Sequence, residues 1–147
     1  MNLKLRNIPF SPPDMSEAEV QEVSEALRSG WITTGPRTKE FERQIAEYCH
    51  TDKAVCLNSA TACMELILRV LGVGPGDEVI VPAYTYTASA SAAIHCGATV
   101  KFVDIQKDGD TVTHMPEMDY AKLEEAITEK TKAIIVVDLG GIVADYE

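Results

Sequence analysis

The chain has 147 residues, an apolar fraction of 46% and a formal net charge of −10, enough length for a domain with a real core. That acidity argues against a nucleic-acid or anionic-membrane partner, because both need basic patches. No apolar run approaches the length of a membrane span, and Met1 to Arg6 lacks the apolar core of a signal peptide, so a cytoplasmic protein is expected.

Ile8 to Asp14 is proline-rich and reads as an extended arm. Ser16 and Glu19 match a capping box that opens a helix running to Ser29, with Val20, Val23, Ala26 and Leu27 as its apolar stripe and Gly30 as its stop. Trp31 to Arg37 is a loop holding the only tryptophan. A second helix is expected over about Thr38 to Cys49, burying Phe41, Ile45, Ala46 and Tyr48. Ala54 to Leu57 is a short apolar run that reads as a buried strand. Asn58 and Ser59 break it, and from Ala60 the apolar residues recur at a helical period until Gly72.

Gly72 to Asp77 contains three glycines, but it leaves a helix and enters a strand, the reverse of a phosphate loop, so it reads as a connector. Glu78 to Val81 is a buried strand stopped by Pro82. Ala83 to Ser91 leads into a helix rich in small residues that ends at Gly97. Thr99 to Val103 is the next strand, closed by Asp104, and Lys107 to Asp110 is a loop. Asp119 to Ile127 is an amphipathic helix, Lys132 to Val137 the last strand, and Asp138 to Gly141 a turn. Cysteines 49, 56, 63 and 96 form no CxxC pair, so buried reduced thiols are expected rather than disulfides or zinc ligands.

Strand and helix alternate from residue 54 onward, the pattern of a parallel α/β sheet with helices on its faces. Sites in such sheets lie at the carboxyl ends of the strands. Polar residues collect there: Asn58 to Thr61, Tyr84 to Thr87, Asp104, and Asp138 to Gly141. The turn at Asn58 to Ala62 aims free N–H groups, two hydroxyls and the positive end of a helix dipole at one spot, which suits a phosphate. A plain helix cap by Ser59 would use the same residues. A phosphorylated, flat ligand would need both this turn and an aromatic face such as the one the second cluster carries.

Several ordered motifs carry a resemblance: Ser29 to Pro36, Asn58 to Ala62, Gly76 to Pro82, Thr85-Tyr86, Gly97 to Val100, Phe102 to Asp104, and Thr131 to Ile135. In this order and spacing, over Pro9 to Asp145, the chain resembles the DegT/StrS-type sugar-nucleotide aminotransferases, pyridoxal-phosphate (PLP) enzymes of the type I aspartate-aminotransferase fold. The resemblance implies an α/β architecture: the amino-terminal portion of a parallel-sheet, three-layer large domain, preceded by two helices. Residues 1–53 would be the arm and helices, and 54–147 the first, incomplete part of the PLP-binding domain. In the family's strand order, later strands separate Ala54–Leu57 from the other three. This span would therefore leave that strand without neighbours, so an oligomer, a strand shift or local disorder is expected there.

The resemblance also implies roles. Thr61 and Ala62 match positions that give the PLP phosphate backbone N–H bonds, with the Thr61 hydroxyl as a further donor and Ser59 beside them. Tyr86 matches the aromatic that stacks on the pyridine ring; a core tyrosine at a strand end is the alternative. Trp31, Thr33 and Thr34 match a segment near the substrate cleft, where Trp31 could instead anchor its loop. The implied reaction moves an amino group from an amino acid, usually glutamate, through PLP to a nucleotide-linked keto sugar, with a C4 amination suggested by Ser29 to Pro36 and Ser59 to Ala62. A homodimer is implied for the full-length enzyme, and polysaccharide biosynthesis for its pathway.

The family's pyridinium-binding aspartate, a further phosphate-binding serine and the lysine that holds PLP covalently have no counterpart among these residues. The chain is therefore read as the amino-terminal part of a longer enzyme, inactive by itself, with no catalytic residue and no metal ligand assigned. Two other readings stay open: a non-catalytic module that binds a phosphorylated ligand, and a regulatory or degraded relative that acts through subunit contacts.

Overall fold

The computed structural model describes residues 7, 9–106, 116–144 and 146. The expected loop at Lys107 to Asp110 lies outside the described residues. The chain divides into two compact units, residues 1–56 and 57–147.

The first unit holds two helices. α1 spans Glu17–Arg28 and opens with the expected capping box: the Ser16 N–H donates to Glu19 Oε2 at 2.6 Å, and Ser16 Oγ accepts from the Ala18 N–H. α2 spans Pro36–Tyr48 and starts two residues before the expected Thr38, because Pro36 takes the first helical position, where a missing N–H costs nothing. Neither helix buries a residue. Phe41, Ile45 and Tyr48, expected to be buried, are exposed, as are Val20, Val23 and Leu27. The stripes are amphipathic as read, but no apolar layer among the described residues covers them.

The expected strand at Ala54–Leu57 joins no ladder. Val55 and Leu57 are exposed, and the Cys56 N–H donates to the Glu42 carboxylate at 2.8 Å instead of to a neighbouring strand. A strand exists only through its neighbours, and the described residues supply none for this run.

The second unit is a three-layer α/β sandwich. α3 spans Ala60–Val70, β1 Glu78–Pro82, α4 Ala88–His95, β2 Thr99–Val103, α5 Tyr120–Ala126 and β3 Thr131–Ile134. The sheet order is β2-β1-β3, all parallel. β3 begins one residue before the expected strand and ends three before it, although the Ile135 N–H still reaches the Ile80 carbonyl at 2.9 Å. Its outer edge has no partner among the described residues, so the ladder stops early.

Alternation along β1 fills both faces. Val79 and Val81 pack with Leu68 of α3 and with Ala92, Ala93 and Cys96 at the α4 layer. Ile80 points the other way, to Val103, Met118 and the α5 residues Leu123 and Ala126. Val79, Ile80 and Val81 have no exposed surface. All four cysteines are free thiols, but only Cys96 is buried; Cys49 ends α2 and is exposed, and Cys56 and Cys63 are half-buried. The expectation of buried thiols therefore holds for one of the four, because the elements carrying the others lack a covering layer. No helix of the described residues is long and apolar enough to cross a membrane.

At the amino edge of the sheet the Thr128 hydroxyl donates to Glu78 Oε2 at 2.6 Å, and Lys101 Nζ lies 3.6 Å from the same oxygen. The Thr128 bond first, and the Lys101 charge after it, hold the Glu78 carboxyl below its ordinary value of 4.5. A depressed carboxyl contributes stability that is fully present above 4.5 and is lost as pH falls through the folded value. Urea denaturation from neutral to acid pH should show this loss in the wild type, and Glu78→Gln should flatten it. Parallel acid limbs in the two proteins would refute the linkage.

Candidate functional site

The carboxyl edge of the sheet follows from connectivity. The short turn from Leu71 to Asp77 takes the end of α3 to the start of β1, so the start of α3 lies at the carboxyl end of the strands. α4 follows β1 directly and therefore also starts there. The two helices lie in one layer and run parallel. Polar bonds tie them near the far end: His95 Nδ1 to Glu65 Oε1 at 2.6 Å, and Arg69 Nη2 to the His95 carbonyl at 3.0 Å.

Ser59 is the α3 N-cap, with extended backbone. Its hydroxyl oxygen accepts from the Ala62 N–H at 3.1 Å, and its carbonyl accepts from the Cys63 N–H at 3.1 Å. The N–H groups of Ala60 and Thr61 have no intrahelical acceptor, as at any helix start. The Thr61 hydroxyl makes no hydrogen bond among the described residues, and no carboxylate sits in the first turn. Anion donors are thus Ala60 N, Thr61 N, the Thr61 hydroxyl, and the Ser59 hydroxyl proton, which remains free to donate while its oxygen accepts. The Ala62 N–H is already engaged by the cap. That detail is invisible in the sequence, since Ser59 as cap and Ala62 as phosphate donor fit the same letters.

Tyr86 sits in the loop between β1 and α4. Its carbonyl accepts from the Ser89 N–H at 3.1 Å, while Thr85 and Ser89 share a hydroxyl bond of 2.8 Å that closes the loop. The residue is 80% exposed, so it is not a core tyrosine among the described residues. Ser59, Thr61 and Ala62 at the start of α3 and Tyr86 in the loop before α4 therefore lie at one edge of the sheet, at the starts of two helices of one layer. Two carboxylates at the same edge are occupied: Asp104 by Lys122 at 3.1 Å, and Asp138 by the Ala144 N–H at 3.0 Å and the Tyr146 hydroxyl at 3.2 Å.

The remaining predicted residues, Trp31, Thr33 and Thr34, lie together in the loop of the first unit. Trp31 Nε1 donates to the Thr34 carbonyl at 3.0 Å, and the Trp31 main-chain N–H donates to Ser29 Oγ at 3.2 Å. Ser29, Trp31, Thr33, Gly35, Pro36 and Arg37 line a hollow of about 230 Å³. Gly35 and Arg37 were not singled out as site residues from the sequence. A Cβ at Gly35 would stand 1.9 Å from Trp31 Nε1, so the absent side chain is what lets the indole seat. A glycine between a tryptophan and a proline was the available signal.

Residues 13–147 match the model of the DegT/DnrJ/EryC1/StrS aminotransferase family. SpsC, a spore coat polysaccharide biosynthesis protein of Bacillus subtilis (strain 168), is 41% identical over 140 residues, which are 95% of this chain and 34% of that protein. The UDP-4-amino-4-deoxy-L-arabinose–oxoglutarate aminotransferase of Shewanella sediminis (strain HAW-EB3) is 42% identical with the same coverages. Among solved structures, the PMP form of Spr1654 from Streptococcus pneumoniae is 67% identical and superposes with a TM-score of 0.86, over 96% of this chain and 34% of that one. Its PLP form gives 0.85. The chain thus spans about a third of the length of the relatives it matches.

Gly35→Ala should unseat the indole, since 1.9 Å leaves no room for a methyl group. With one tryptophan in the chain, the emission maximum should move to the red while helix content by circular dichroism stays unchanged. An unmoved spectrum would show that Gly35 does not seat the ring.

Proposed function

Because the chain belongs to the DegT/DnrJ/EryC1/StrS aminotransferase family, we propose that it provides the cofactor-phosphate end of a PLP-dependent aminotransferase acting on a nucleotide-linked keto sugar. The observation that carries this reading is the start of α3, a helix N-terminus with no carboxylate in its first turn, whose Thr61 hydroxyl has no partner among the described residues. The donor set fits a phosphate dianion. The PLP and PMP forms of Spr1654 support the choice of cofactor. The name of the Shewanella relative, a 4-amino sugar paired with oxoglutarate, supports C4 as the position and glutamate as the donor. SpsC supports a place in polysaccharide construction.

When bound, PLP supplies the electron sink through which an amino group changes carrier. The residues of this chain bind and orient. Ala60 and Thr61 offer backbone N–H groups to the phosphate, and the Thr61 hydroxyl offers a third donor. Ser59 would donate its hydroxyl proton to the phosphate while its oxygen keeps accepting from the Ala62 N–H, so cap and ligand need not compete. Tyr86, exposed in the loop before α4, would offer its ring to the flat face of the cofactor and would exclude water from that face. Trp31, Thr33 and Thr34 belong to the substrate side. The exposed stripes of α1 and α2 support a larger assembly in which further protein, including a second subunit, covers them.

Two outcomes test this reading. In equilibrium dialysis with PLP, Thr61→Val should weaken binding about tenfold, the scale of one hydrogen bond to a charged group. Equal affinities would remove the phosphate assignment. Separately, the 147-residue chain mixed with PLP, glutamate and a nucleotide-linked 4-keto sugar should release no 2-oxoglutarate above a free-PLP control. Turnover with a single lysine labelled after borohydride treatment would overturn the expectation and identify that lysine as catalytic.

A further inference from the structure

Ser89 is the one buried polar residue among those described. A buried hydroxyl is costly unless it is bonded. Its partner is the Thr85 hydroxyl, at 2.8 Å, which is half-buried on the far side of Tyr86. Tyr86 itself is exposed, and its phenol makes no hydrogen bond among the described residues. Nothing on the side chain fixes it, so the main chain must.

That main chain is held at both ends. Upstream, the Ala83 N–H donates to the Val103 carbonyl at 2.8 Å and ties the loop to the end of β2. Downstream, the Ser89 N–H donates to the Tyr86 carbonyl and the Ala90 N–H to the Thr87 carbonyl, both at 3.1 Å. The chain thus enters α4 through a tight turn of 3₁₀ type. Thr87, the N-cap, sits in the αR region and makes no side-chain cap bond. The usual device for fixing a helix start is missing, and the Thr85–Ser89 bond takes its place. Ser89 therefore holds Tyr86 from both sides, by its N–H and by its hydroxyl. It lies on the same helix face as Ala92 and Ala93, which pack with Val79 and Val81 of β1, so the hold is anchored in the core.

We propose that Thr85 and Ser89 are positioning residues for the cofactor ring, their hydroxyl pair fixing the Tyr86 main chain so that its ring meets PLP already placed. The proposal rests on the PLP reading above and adds two residues that act through Tyr86. Ordering the loop beforehand removes an entropy cost that binding would otherwise bear. A bond serving only the fold of α4 would not distinguish the ring of the cofactor from its phosphate.

Equilibrium dialysis of the 147-residue chain makes that distinction, with pyridoxamine phosphate (PMP) and inorganic phosphate as separate probes. PMP has the ring and the phosphate but no aldehyde to react with surface lysines. Tyr86→Ala should weaken PMP about fivefold, the scale of one stacked aromatic pair, and leave inorganic phosphate unchanged. Ser89→Ala and Thr85→Val should each weaken PMP about threefold, part of the same contact, with inorganic phosphate again unchanged. Thr85→Ser keeps the hydroxyl and should stay within about twofold of wild type. In a Tyr86→Ala background, Ser89→Ala should cost nothing further, because both changes act on one contact. The induced circular dichroism of bound PMP should fall in Thr85→Val and persist in Thr85→Ser, at equal far-ultraviolet helix signal. Thr85→Val keeps the side-chain shape and reads the bond even if Ser89→Ala does not fold. Wild-type PMP affinity in Thr85→Val, or an equal loss for PMP and inorganic phosphate, overturns the proposal. PMP binding that Thr61→Val weakens and Thr85→Val does not would refute the positioning role alone, whereas no PMP binding by the wild type would refute the cofactor reading with it.

Discussion

The parallel pairing of β1 with both neighbours governs where every loop of the second unit must emerge. Parallel strands cannot be joined by a tight turn, so each connection crosses the sheet through a helix. The chain steps from β1 to β2, then returns across β1 to β3. With right-handed crossovers, that reversal sends α4 and α5 to opposite faces, as the two core clusters show. A reversal of strand order also opens a crevice at the carboxyl ends of the strands on either side of it, here β1 and β3. The start of α3 and the Tyr86 loop gather at that end because connectivity leaves them nowhere else.

The two candidate regions differ in charge. The first turn of α3 carries no carboxylate, and its donors are backbone and hydroxyl groups. The Trp31 hollow has its cation engaged by two glutamates. In a chain of net charge −10, acid is thus absent from the first turn of one helix and present beside an aromatic hollow.

Much of this was legible in the letters. Ser16 with Glu19, Ser59 and Asp119 mark the three helix starts where their side chains cap, because capping is local chemistry. Glu78 to Val81 read correctly as a buried strand because burial on both faces removes alternation. Ala54 to Leu57 reads the same way and forms no strand, since pairing depends on a neighbour that no local pattern can supply. The stripe of α2 failed similarly: period predicts a face, not what covers it. The sequence also could not separate Ser59 as cap from Ser59 as phosphate donor. The structure makes the two compatible, because a hydroxyl accepts and donates at once.

The register of β1 also sets two different loop-closure costs. Glu78 meets Thr99 of β2 after 21 positions, but meets Thr131 of β3 only after 53. Closing the longer loop costs about 0.8 kcal/mol more conformational entropy, before any contact compensates for it. The β1-α4-β2 crossover therefore has the lower closure cost, and it joins Val79, Val81, Ala92 and Ala93 in one apolar cluster. β3 closes onto the same central strand at the higher cost, and its ladder is the shorter of the two.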